Sequence, residues 1–248
     1  MNGWYNIKAN LARLLNDQLR QLGVEIKACA LLPTRNLLGL RSVRPETVLD
    51  VGANTGQFVL EFKPVFPRAK FFSFEPLPSC FAQLKQLSLR DSKWECFNLA
   101  LGDEIKAAEF YVHANHTSSS SFLQAAEKHY ELYPETVSQH AVMVQCSTLD
   151  NWIRAHPEAG QKPIVLKIDV QGYEANVLRG AKSTLPDVEA VITEVIVENL
   201  YEKQPLFSEQ VELLAQAGLH FSGVIQHAFD SEGKVISFDG VFRRGHRA

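Results

Sequence analysis

The 248 residues carry 46% hydrophobic and 21% charged side chains, ordinary globular usage that excludes a disordered or fibrous chain. At ~150 residues per domain, the length suits one α/β domain with a helical extension, or two small domains. The 25 Lys+Arg and 28 Asp+Glu leave a net charge of −3, which offers no global attraction to nucleic-acid phosphates or anionic lipid. Four cysteines (Cys29, Cys80, Cys96 and Cys146) form no CxxC pair and are too sparse for a disulfide scaffold, so they are expected as reduced, half-buried thiols of a cytoplasmic protein.

In chain order, Ile7, Leu11, Leu14, Leu15, Leu19 and Leu22 recur at mostly helical spacing, and Gly23 is placed to end that helix. This stripe suits packing on its own domain, a cap over a cleft, or a homodimer contact. The region has no uninterrupted apolar core of signal-peptide type, and Pro33, Arg35 and Asn36 break the next apolar stretch, so no membrane insertion is expected. Residues 1–44 are therefore expected as a helical extension and 45–248 as one domain.

From Thr47 onward, short apolar runs alternate with amphipathic stretches. Strands are expected at 47–51, 70–74, 94–99, 163–169 and 190–196, and helices at 57–63, 79–89, 147–155, 173–183 and 207–217. Residues 107–112 read as a hairpin excursion leading into the polar run 113–121. At the end, 220–226 and 234–242 are joined by too few residues for a parallel crossover, so they form an antiparallel hairpin. The expected fold is α/β: a doubly wound, mostly parallel seven-stranded sheet with an antiparallel C-terminal hairpin strand.

Ligands of such sheets bind beyond the carboxyl ends of the strands. After the first strand comes Asp50-Val-Gly52-Ala53-Asn54-Thr55-Gly56, and only Gly52 fits the three-glycine dinucleotide fingerprint, because positions 54 and 57 are Asn54 and Gln57. A second template, an acid at the strand end followed by glycine at alternate positions, is the one methyltransferases use for S-adenosylmethionine. Asp50, Gly52 and Gly56 satisfy three of its four positions. Asn54 tolerates left-handed backbone and adds an amide. In this reading the ligand's ammonium lies in the field of Asp50 and its carboxylate meets the turn N–H groups. Glu75, next to Pro76, follows the second strand and is placed to accept from both ribose hydroxyls. Residues 98–103, including Ala100 and Leu101, border the adenine.

VLDVGANTGQF, FSFEP, NLALGD, the Ser-rich run 118–121, STLDNW and LKIDVQGYEANVLRGA, in that order, resemble the FkbM-type family of class I S-adenosylmethionine-dependent methyltransferases over residues 47–201. The resemblance implies a Rossmann-like fold and O-methylation of a small molecule or saccharide acceptor. Members often carry Glu where this chain has Gln171, which puts the chemistry or the acceptor choice in question. Two other readings remain open: a module that binds S-adenosylmethionine without turnover, and a nicotinamide oxidoreductase.

An aliphatic hydroxyl needs help to lose its proton, and Asp169 at the end of the fourth strand is placed either as that base or as the holder of the ligand's ammonium. Lys167 and Glu194 interrupt buried strands, so they are expected to pair with each other or to reach a cleft, where either contacts substrate or tunes Asp169. Glu174 reads as a helix-dipole charge and His116 as a solvated loop residue. His113 and His116 lack further ligands at zinc spacing, so no structural metal is expected, and no basic, aromatic-interleaved surface for nucleic acid is evident.

Overall fold

The computed structural model describes residues 37–245. The proposed N-terminal helix and Cys29 lie outside that range. The elements are β1 (Thr47–Val51), α1 (Gln57–Phe62), β2 (Lys70–Phe74), α2 (Pro78–Ser88), β3 (Trp94–Phe97), β4 (Ala100–Leu101), β5 (Lys106–His113), α3 (Glu127–Leu132), β6 (Gln139–Ser147), α4 (Leu149–Ala155), β7 (Ile164–Ile168), α5 (Glu174–Arg179), β8 (Val188–Ile196), α6 (Phe207–Gln216), β9 (Leu219–Phe229) and β10 (Val235–Arg244).

Seven strands form one sheet in the order β3-β2-β1-β7-β8-β10-β9. The strands from β3 to β8 run parallel, and β10 lies antiparallel between β8 and β9. The expected architecture is the one observed.

Alternation along each strand explains why both faces are covered. Leu49, Val51, Phe72 and Phe74 point to one side and pack with Trp152 of α4, Val177 of α5 and Leu214 of α6. Val48, Phe71 and Val165 point to the other and meet Val59 and Phe62 of α1 and Leu84 of α2. Thr148 caps α4 as its sequence position suggests, accepting from the Asn151 N–H at 3.1 Å. The helix expected over 173–183 stops at Arg179, and Gly180 caps it where a side chain would collide with the Gly102 carbonyl.

One expected element is corrected. Residues 107–112 are not the first half of a local hairpin. β5 pairs antiparallel with β6, 26 residues further on, and β4 joins β6 to complete a small second sheet. The intervening segment, which contains α3 and the Ser-rich run, is carried over the carboxyl ends of the main sheet.

Cys80, Cys96 and Cys146 are free and buried. Among the described residues, no helix is long and apolar enough to cross a membrane.

Candidate active site at the carboxyl ends of β1, β2, β7 and β8

The turn after β1 is tied to both neighbouring strands. The N–H groups of Gly52 and Ala53 donate to the Phe74 carbonyl, and the Asp169 N–H donates to the Val51 carbonyl. Gly52 has φ +74°, and a Cβ there would lie 1.8 Å from the Asp169 carbonyl oxygen, so only glycine lets the two turns close together. Asn54 (φ +46°) occupies left-handed backbone as its residue type allows.

Beyond these turns lies a cleft of about 590 Å³ including its open mouth. Gly52, Asn54, Glu75, Pro76, Ala100, Leu101 and Asp169 line it, as the sequence reading expected, with Leu99, Phe110 and Phe122 completing an apolar wall. Glu75 is nearly buried, and its two carboxylate oxygens accept from the N–H groups of Asn54 and Leu77, each at 2.8 Å. Burial pushes its pKa up to about 7, against the pull of those two N–H donors. Asn98, expected beside an adenine, instead donates from Nδ2 to the carbonyls of Glu75 and Pro76 and fixes the loop that presents Glu75.

Four expected donor residues sit elsewhere. Asp50 is fully buried beneath the turn, accepts from the Ser73 hydroxyl at 3.1 Å, and faces Lys167 Nζ at 3.3 Å. Burial raises its pKa and Lys167 opposes that rise. It anchors the turn rather than facing a ligand. Gly56 packs toward Trp94 and Leu84, Thr55 is likewise not in the cleft wall, and Ala53 faces an adjoining space.

The expected Lys167–Glu194 pair is not formed. Lys167 Nζ donates to the Gly52 carbonyl at 2.8 Å, pairs with Asp50, and lies 3.7 Å from Asp169 Oδ2. Its flanking carboxylates raise its pKa despite the opposing effect of burial, which is the larger single influence. Glu194 accepts instead from Gln171 Nε2 at 2.6 Å and lines two further spaces that open from the cleft. Those spaces also carry Asp239, Gln226 and His227 from the C-terminal hairpin, none of which was singled out in the sequence. Asp239 lies opposite Glu194 in the β10–β8 register, a placement that its own Asp-Gly dipeptide, which resembles a turn, does not signal.

Asp169 and Ser118 border all three spaces, so the Ser-rich loop forms a shared wall. Glu174 opens α5, at the helix N-terminus where the sequence reading put it. It is buried, and its Oε1 accepts from the N–H groups of Val170 and Gly172, shaping the loop after β7. Among the described residues, no group of three or more His, Cys, Asp or Glu is arranged to hold a metal ion.

A sheet of this strand order, with an acid after β2 and a cleft at the first turn, defines a class I methyltransferase, whose methyl donor is S-adenosylmethionine. The family model "Methyltransferase FkbM domain" matches residues 50–221, and the chain belongs to that family. It is 26% identical over 238 residues to the 2-O-methyltransferase NoeI of Sinorhizobium fredii, covering 93% of this chain and 95% of that protein. It is 30% identical over 154 residues to the methyltransferase sdnD of Sordaria araneosa, covering 54% of this chain and 59% of that one. A solved FkbM methyltransferase from Methylobacillus flagellatus is similar at 12% identity with a TM-score of 0.48, over 79% of this chain and 44% of the other.

Proposed function

We propose that the protein transfers the methyl group of S-adenosylmethionine to a hydroxyl of a small molecule or saccharide. The observation that carries this reading is the position of Asp169, in the wall of the donor cleft and of both adjoining polar spaces. The residues fit the donor. Glu75 keeps lone pairs free for two ribose hydroxyls, Leu99, Ala100 and Leu101 supply an apolar slot for a base, and Asp169 offers an anion at the opposite end. When bound there, the donor supplies an electrophilic methyl group on a sulfonium.

The chain's own contribution is positioning and proton handling. Asp169 and Glu194 stand where an acceptor hydroxyl meets the donor cleft. Lys167 holds the Gly52 carbonyl, faces Asp169 and also lines one of the spaces that Glu194 borders, which suits it both to position Asp169 and to meet the acceptor. The similarity to NoeI, a 2-O-methyltransferase, supports oxygen as the atom methylated.

The test is calorimetry with S-adenosylmethionine and with NAD, followed by transfer of labelled methyl to a panel of hydroxylated small molecules and glycosides. Binding of the sulfonium donor and oxygen-linked label are expected. Preference for NAD, or label found only on nitrogen, overturns the reading.

A further inference from the structure

Gln171 follows Asp169 by two residues and occupies left-handed backbone at φ +57°, a region that long side chains rarely adopt. Its amide makes three contacts. Nε2 donates to Asp169 Oδ1 at 3.0 Å and to Glu194 Oε2 at 2.6 Å, while Oε1 accepts from the Tyr201 hydroxyl at 2.8 Å. The Tyr201 contact fixes which end of the amide faces the acids, because the reversed amide would turn an oxygen toward two carboxylates. A primary amide has two N–H donors and no charge, so it can serve two anions at once. A glutamate in its place would have at most one proton to give and would add a third acid to the group.

The two acids it joins share two spaces, and only Asp169 also reaches the donor cleft. Asp169 borders the donor cleft, and its second oxygen faces Lys167. Glu194 is absent from the donor cleft wall and borders only the two acceptor-side spaces. Resting on the methyl-transfer reading above, we infer that Gln171 is a positioning residue that clamps Asp169 and Glu194 into one unit, leaving Asp169 to hold the donor's ammonium and Glu194 to take the acceptor's proton. The O–H proton passes to Glu194 as the acceptor oxygen gains the methyl group. The donor's carbon–sulfur bond breaks with its electron pair left on sulfur, so the sulfonium's positive charge and the carboxylate's negative charge disappear together.

The surroundings of Glu194 are consistent with that role. Asp239 and Ser237 face it from β10, His227 from β9, and Lys167 and Asp169 from β7 and the loop after it. Glu174, Tyr201, Tyr133, His129 and His116 are further titratable neighbours, and Glu61 of α1 lines one of the spaces Glu194 borders. Burial, then the negative charge of Asp169, Glu174 and Asp239, raise its pKa well above the ordinary carboxylate range. A more basic carboxylate is a better match to a hydroxyl proton at neutral pH.

The experiment uses the full chain with glutamate carboxyl carbons labelled with ¹³C, saturated with S-adenosylmethionine and titrated by NMR, with Glu194→Gln identifying the Glu194 signal. Gln171→Leu removes both donors and is expected to move the Glu194 midpoint upward by about one pH unit or more. Gln171→Glu, nearly isosteric, moves it in the same direction by adding negative charge and keeps the test usable if the leucine variant does not fold. Asp169→Asn moves it down. S-adenosylmethionine affinity, measured alongside by calorimetry, is expected to fall about 3- to 10-fold in the Gln171 variants, because Gln171 lines the donor cleft and holds Asp169. A Glu194 midpoint unmoved in whichever Gln171 variants fold, with donor binding still measurable, overturns this inference alone. Failure of the unmodified protein to bind S-adenosylmethionine overturns the methyl-transfer reading and this inference with it.

Discussion

The two halves of the cleft are built differently. On the side proposed for the donor, backbone makes much of the site: turns are cross-tied by N–H groups, Leu99, Phe110 and Phe122 form an apolar wall, and Glu75 is the lone carboxylate aside from the shared Asp169. On the side proposed for the acceptor, side chains make the site, with Asp169, Glu194 and Asp239 drawn from three separate strands and the loops after them. Side chains at a site can be exchanged without altering the fold, whereas a turn built from backbone is tied to it.

The comparison is broken most severely at the donor turn. Gly52→Ala places a methyl group against the Asp169 carbonyl, and loss of more than 100-fold in S-adenosylmethionine affinity, or failure to fold, is expected. Gly233→Ala in the terminal hairpin also has positive φ but open space, so urea denaturation should show a cost of only about 1–2 kcal/mol. Lys167→Met strands Asp50 as a fully buried charge and should cost about 3–5 kcal/mol in the same measurement, most of it recovered when Asp50→Asn is added. Glu75→Ala is expected to weaken S-adenosylmethionine about 10- to 100-fold by calorimetry, the loss of charge-assisted hydrogen bonds worth about 1.5–3 kcal/mol.

Subtler effects appear with pH. Burial, the largest cause in each case, raises Glu75 and Glu174 to about 7 and Asp239 to about 6. As pH rises from about 4 to 7, the unfolded chain releases these protons before the folded one does, so these groups make stability fall over that window. Asp239→Asn should flatten part of that fall in urea midpoints taken across the range. His129 gives the opposite sign. Both of its ring nitrogens are buried without a partner, and burial lowers its pKa to about 4. His129→Leu should stabilise the protein by about 1 kcal/mol at pH 7, with the gain growing as pH falls from about 6.5 toward 4.

The donor side was the more legible half because its signals are local. The Asp50–Gly56 run, Glu75 and Ala100–Leu101 lie at or just beyond the ends of strands that read clearly from their apolar runs, and six of these residues do line the cleft with Asp169. Even there, Asp50 was placed at the ligand when it lies beneath it, since sequence spacing does not say which side of a strand end faces the cleft. The acceptor side depends on register. Nothing within the 234–242 run reveals that Asp239 stands opposite Glu194, which lies 45 positions earlier. The β5–β6 pairing escaped for the same reason, and so did the choice of Asp50 rather than Glu194 as the partner of Lys167.

The insertion of β10 between β8 and β9 has a consequence for biosynthesis. A ribosome delivers the first turn, Glu75 and Asp169 well before Asp239 emerges, but the apolar core beneath them includes Leu214, Leu219 and Phe242 from the last three elements. Until β10 arrives, β8 presents an open edge and Glu194 lacks its opposite number. The nascent polypeptide is therefore expected to complete its core and its cleft together, only when the last strand has been released.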